Sequence, residues 1–380
     1  MKKKNIIVAI LAVIIITSGL VLYFAKDKDQ VVKGNLTIWT SSGNEYLNEV
    51  AQDFMKNNDR CKIEIINVSS EEYQNKLKEA FDKNKPPDII NVNSENMESI
   101  LEELDGKNIE IKNQKDILSN YSSNFTERRL QEVFNDDKEI GIPFTSNPIT
   151  FYLREDMLNE YGYTYTKFNT WEDVVNFGKD IYTKSQGKLR ILNYVGKDKE
   201  YLNSLLIMQA MEGSRDEEKI REEVENKIKY LTDNNILNYD EKGAFLARVS
   251  SLEAMRELKA LEVSCSWTAN NPPSKTNGSN KFYLAEGSNL IVLKEDGQKE
   301  QLRNKFLGFL VGSNSYSISH VRKGEFFLSY LSTYNTSETE RSINNFIGKS
   351  PLVVMANIAQ KAPTMKDYEL YKEIKSDFIK

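Results

Sequence analysis

Apolar residues recur along this chain in two alternating rhythms, and the alternation predicts the architecture. Asn35–Thr40 reads as a short strand, after which Leu47, Val50, Ala51, Phe54 and Met55 repeat at helical spacing over 44–57. Lys62–Val68 is the next strand, followed by a helix opened by Ser69-Ser70-Glu71-Glu72 and striped with Tyr73, Leu77 and Phe81. Asp88–Val92 has the apolar character of a strand buried in a parallel sheet, and Met97, Ile100, Leu101 and Leu104 mark a further helix. Successive strand–helix units predict right-handed crossovers around a parallel sheet, where ligands lie beyond the carboxyl ends of the strands. Those ends are Thr40–Asn44 and Asn93–Asn96, small and polar, which taken alone is ordinary turn chemistry.

Ile142–Leu158 then interrupts the pattern. Pro143 bounds an apolar strand, Thr145-Ser146-Asn147-Pro148 is a polar break, and an alternating strand resumes before an acidic turn into a helix. This is the handover from one lobe to another, with the polar break facing the gap. Thr170 with Asp173 three residues on predicts a capped helix start, and Trp171 reads as a core or staple residue. Further on, the pattern predicts a strand at 191–195 and helices at 201–211, 215–231 and 243–261. Strands follow at 282–284, 289–293 and 306–311, and helices at 324–334, 338–346 and 351–359. Ser264–Lys281 lacks periodicity and carries Trp267, which either stacks on a ligand or anchors the loop.

Composition adds three facts. The chain has 380 residues, 39% hydrophobic and 28% charged, enough for two cores. Lys2-Lys3-Lys4 precede the uncharged Ile6–Phe24, which as a helix spans roughly 28 Å, the thickness of a bilayer core. Tyr23 sits where a cleavage site needs a small residue, so residues 1–25 are expected to be an uncleaved single-pass anchor rather than a cleaved signal. The basic end lies inside, 26–34 is a linker and the rest is extracellular. Finally, the net charge of −5 argues against nucleic-acid binding. The single histidine, His320, excludes multi-histidine zinc sites and most histidine-centred triads. Cys61 and Cys265 are expected on different lobes; a disulfide between them is possible in an exported protein, but two cysteines in so long a chain mean that stability does not depend on one. No nucleophile elbow, zinc-protease or phosphate-loop motif occurs, and no two carboxylates stand out as a catalytic pair.

Four segments in order, LTIWTSSGNEYLNEVAQDFMK, PDIINVNSENMESILEEL, IGIPFTSNPITFYLREDMLNEYGY with TWEDVVNFGKDI, and YLSTYNTSETERSINNFIGKSPLV, resemble extracellular solute-binding protein family 1. These are the sugar-type receptors of ABC importers, and the resemblance covers about 35–359. It implies a two-lobed α/β fold of the type II periplasmic-binding-protein kind, each lobe a mainly parallel sheet flanked by helices. Lobe 1 is then expected over 35–142 with 308–355 returning to it, and lobe 2 over 143–307 with 356–380. It also implies a small solute, mono- or oligosaccharide, held between the lobes by hinge closure, with ABC permease subunits as partners and no cofactor. By position, the resemblance assigns ligand contacts to Ser41, Ser42, Asn44, Glu45, Asn93, Ser94, Asn147 and Tyr201. Where sugar-binding members carry a Gly-x-Trp turn, this chain has Gly287-Ser288-Asn289, so Ser288, Asn289 and Trp267 join the candidate set. Family members also usually continue further beyond the PLV helix. Both departures leave room for a sensory or structural surface protein with an altered cleft; a carbohydrate-active enzyme ranks third.

Overall fold

The computed structural model describes residues 32–135, 137–293, 298–312 and 316–379; the segment read as an anchor lies outside them. Among the described residues no helix is long and apolar enough to cross a membrane. β1 (Gly34–Thr40), α1 (Asn44–Lys56), β2 (Cys61–Asn67), α2 (Ser70–Asp82), β3 (Ile89–Asn93) and α3 (Met97–Gly106) follow the expected alternation, with β1 parallel to β2 and β3. β4 (Gly141–Pro143) closes this part of the chain, and β5 (Thr150–Arg154) opens a second sheet. Next come α4 (Trp171–Lys184), β6 (Leu189–Asn193), α5 (Gly196–Gly213), α6 (Glu217–Asp233), β7 (Leu237–Asn238), β8 (Ala244–Ser250), α7 (Leu252–Lys259) and β9 (Trp267–Asn270). The chain returns through β10 (Ser288–Val292), α8 (Gln298–Gly312) and α9 (Ser317–Lys323), and ends in α10 (Pro351–Lys361) and α11 (Tyr368–Ile379).

The first sheet has the order β2-β1-β3-β10-β4 and the second β7-β6-β8-β5-β9. Each is mainly parallel, as expected, with one strand of the five running against the rest. β10 runs antiparallel to β3 and β4, and β5 antiparallel to β8 and β9, because strands arriving from the other lobe run against the local βα units. The return to the first sheet therefore comes at β10, earlier than the expected 308. Two strands cross between the sheets, and Asn147–Pro148 pairs with Leu284–Ala285 where they pass.

Trp171 is buried, and its indole N–H donates to Gln209 Oε1 at 2.7 Å, while Thr170 and Asp173 form a reciprocal capping box. Both cysteines are free thiols; Cys61 starts β2 on the first sheet and Cys265 precedes β9 on the second.

Five segments differ from the sequence reading. Phe306–Val311 lies inside α8, where Leu302, Phe306 and Leu310 are fully buried at helical spacing; a short apolar run carries no period of its own. The helix expected at 243–261 splits into β8 and α7, since AFLARVS gains two strand neighbours on an inner position of the sheet. Trp267–Asn270 in the aperiodic stretch is an edge strand. Helices expected at 324–334 and 338–346 are replaced by irregular chain with short turns at Leu331–Tyr334 and Ser337–Thr339. Gly324, at φ +82°, ends α9, and the chain then pairs Leu328 with Thr145 rather than continuing.

Candidate functional site

A cavity of about 260 Å³ lies between the lobes. From the first sheet it is lined by Ser42, after β1, and by Asn93 and Ser94, at the end of β3. The crossovers contribute Thr145, Asn147, Glu286 and Gly287. The second lobe adds Lys197, Glu200 and Tyr201 from the first turns of α5 and Glu253 from the start of α7. Gly324–Phe327 and Lys375, on α11, complete the wall. These positions are the carboxyl ends of first-sheet strands and the amino ends of second-lobe helices, where free backbone and short polar side chains concentrate.

The lining is polar, with an acidic excess: five glutamates (Glu95, Glu200, Glu253, Glu286, Glu325) against Lys197 and Lys375. Lys375 forms a nearly buried ion pair with Glu286. Burial alone would lower the lysine's pKa, but Tyr371 and Glu286 outweigh it and hold the ammonium charged well above the ordinary range. Lys197 pairs with Glu200 at 2.6 Å. The Tyr201 hydroxyl donates to Glu253 at 3.2 Å, and burial together with that carboxylate raises the phenol well above its usual pKa. Acceptor-only carboxylates, amides and hydroxyls, with Tyr201, Phe326 and Phe327 as aromatic surface, suit a ligand rich in hydroxyl donors and apolar ring faces.

Beneath the cavity floor is a buried ionic network. Glu132 is bracketed by Arg128 at 2.9 Å and by Arg129, all three within the interior, and Ser94 Oγ donates to the same carboxylate. Arg129 also donates to the Ser288 carbonyl at 2.9 Å and to Asn289 Oδ1 at 2.8 Å, while Ser329 Oγ donates to the Thr145 carbonyl at 2.9 Å. One guanidinium thus binds the return crossover directly and, through Ser329 at 3.4 Å, the outgoing one. Gly287 passes so close to Thr145 that a Cβ there would lie 1.8 Å from its carbonyl oxygen. Asn147 Nδ2 donates to the Glu286 carbonyl, tying the crossovers together at the cavity edge.

Of the residues singled out in the sequence, the structure brings Ser42, Asn93, Ser94, Asn147 and Tyr201 together on one cavity. Ser41 turns instead into a neighbouring depression beside α2. Asn44 starts α1, its carbonyl accepting from Asn48 Nδ2 at 2.9 Å. Glu45 lies by His320 and Glu325, off the cavity lining. Trp267 is a correction: it is 3% exposed and packed in the core, because β9 turns its ring inward beside α10. Ser288 and Asn289 are also corrected, since both are buried in the network below the floor. Sequence reasoning missed Glu253, Glu286 and Lys375, which reach the cavity from separate parts of the chain without a motif. Lys197 and Glu200 were visible only as a charged start to the helix bearing Tyr201.

Two α/β lobes joined by crossing strands, with a polar cavity between them, define the two-lobed solute-binding architecture. The profile of the bacterial extracellular solute-binding proteins matches residues 40–313, and the chain belongs to that family. A comparison with curated protein sequences gives no match. Among solved structures, the sugar-binding protein MalE from Xanthomonas citri aligns at TM-score 0.73 and 15% identity, covering 91% of this chain and 90% of that one. The cyclic alpha-maltosyl-1,6-maltose binding protein from Arthrobacter globiformis aligns at 0.69 and 13%, covering 91% and 94%. An ABC transporter associated binding protein from B. animalis subsp. lactis, in complex with beta-1,6-galactobiose, aligns at 0.61 and 18%, covering 91% and 90%. At these identities the likeness is one of fold.

Proposed function

We propose that this chain is the solute receptor of an ABC importer and captures a mono- or oligosaccharide in the interlobe cavity by hinge closure. The observation that carries the reading is the cavity itself: carboxylates, amides and hydroxyls from both lobes converge there beside Tyr201, Phe326 and Phe327. Sugars are held by polar groups on their hydroxyls and by aromatic surface on their ring faces, and this lining offers both. The named relatives bind maltose-type sugars and galactobiose, which supports the ligand class. Contacts to both lobes favour the closed state by the difference in affinity between open and closed forms. The uncharged Ile6–Phe24 stretch behind three lysines would hold the receptor on the outer face of the membrane, next to permease subunits.

The test is thermal unfolding of the full chain against maltodextrins, galactobiose and other mono- and oligosaccharides. A ligand at a hundred times its Kd stabilises the native state by about 2.7 kcal/mol and raises Tm by several degrees. Asn147→Ala should remove most of that ligand shift while lowering the ligand-free stability by only about 1 kcal/mol. A panel without any shift at millimolar sugar refutes the reading, and an Asn147→Ala protein that does not fold moves the site elsewhere.

A further inference from the structure

The chain's single histidine stands outside the solute site's own chemistry. His320, on α9, is 1% exposed, with Nδ1 2.5 Å from Glu325 Oε2 and Nε2 3.1 Å from Glu49 Oε2. Glu45 is one helical turn before Glu49 on α1, and its carboxylate lies within 4.8 Å of ligand atoms of His320 and Glu325. Three carboxylates therefore surround one imidazole. The cations near Glu325 are Lys323, 3.5 Å away and largely solvent-exposed, and Lys259.

We propose that Glu45, His320 and Glu325 bind a divalent transition-metal ion of the zinc type at the edge of the cleft. One imidazole nitrogen with two carboxylate oxygens is a borderline donor set that suits zinc better than calcium or magnesium, which take oxygen ligands. Zinc holds such atoms at about 2.0–2.2 Å. The exposed Glu45 side chain can swing in to reach that distance. Glu49, on the far ring nitrogen, then acts as a positioning residue that accepts Nε2–H and fixes the tautomer presenting Nδ1 to the ion. The site is coupled to the cavity. Glu325 lines both, and Phe326, a cavity wall residue, stacks on the His320 ring at 6.1 Å and 16°. A bound ion thereby pins one wall of the cleft.

Zinc chloride titrated into metal-free full-length protein, read by calorimetry and by Tm, tests this. One zinc ion per chain with a rise in Tm is expected, and no comparable shift with magnesium or calcium. Glu45→Gln, on the surface, and His320→Gln should each weaken binding at least tenfold, and Glu49→Gln by about 10–100-fold. Absence of a zinc-dependent shift overturns the proposal. So does an unchanged affinity in Glu45→Gln, which also decides the matter should His320→Gln fail to fold.

Discussion

Replacing Glu132 by glutamine is the sharpest probe of how this fold holds its two crossovers. The carboxylate is fully buried between the Arg128 and Arg129 side chains, each about 1% exposed. Glutamine keeps the shape but removes the charge. Arg129 retains the Ser288 carbonyl and Asn289 Oδ1, whereas Arg128 keeps a 3.5 Å contact to the Leu284 carbonyl and its place over the Tyr368 ring, 5.2 Å from the centroid. Two interior cations then lack a counter-charge, and breaking such a buried pair costs about 3–5 kcal/mol. At roughly 2–4 °C per kcal/mol, even the lower figure lowers Tm by about 6–12 °C. The assay is urea unfolding at pH 7, with a shifted midpoint and an unchanged slope.

The pH dependence supplies a second check. Burial alone would raise the Glu132 pKa, but Arg129, Arg128 and the Ser94 hydroxyl outweigh it and hold it below the ordinary carboxylate value. A depressed folded pKa means that the stabilisation is fully present above the unfolded value of about 4.3 and is lost as pH falls through the folded one. The gap between wild type and Glu132→Gln should therefore close on acidification below about pH 4. A midpoint difference under about 1 kcal/mol at pH 7, or a gap that widens in acid, refutes the reasoning.

Two further outcomes follow from the same geometry. Gly287→Ala sets a Cβ against the Thr145 carbonyl, so the crossovers must part; stability should fall by about 1–3 kcal/mol and solute affinity with it, both readable by thermal shift with and without sugar. Thr170→Ala removes a capping-box oxygen on α4, outside the cavity lining, and should lower unfolding free energy by about 1 kcal/mol while leaving the ligand shift intact.

Local chemistry was enough for the first half of the fold. The periodicities of Leu47, Val50 and Phe54 or of Tyr73, Leu77 and Phe81 are set within a few residues, and the Thr170 cap is written in four consecutive positions. Strand ends of a parallel sheet face a cleft by topology, so Ser42, Asn93 and Ser94 were legible in advance, as was Asn147 after the crossover proline. What failed had no local signal. FLGFLV is apolar enough for either a strand or a helix, and only its seat against β1 and α1 made it part of α8. Trp267 could anchor or stack, and the pairing of β9 with β5 decided for the core. The ionic centre under the crossovers joins Arg128, Arg129 and Glu132 to Ser94, Ser288, Asn289 and Ser329. Lys375 arrives at the cavity from the last helix, and His320 meets Glu49 across most of the chain. Each of these charges is placed by long-range packing, which confers meaning on residues that read locally as helix surface. The sequence alone therefore determined the elements from β1 to α3 and which of their strand ends would face the cavity. The tertiary structure decided where the chain crosses back, which polar residues are buried, and which distant charges share the cleft.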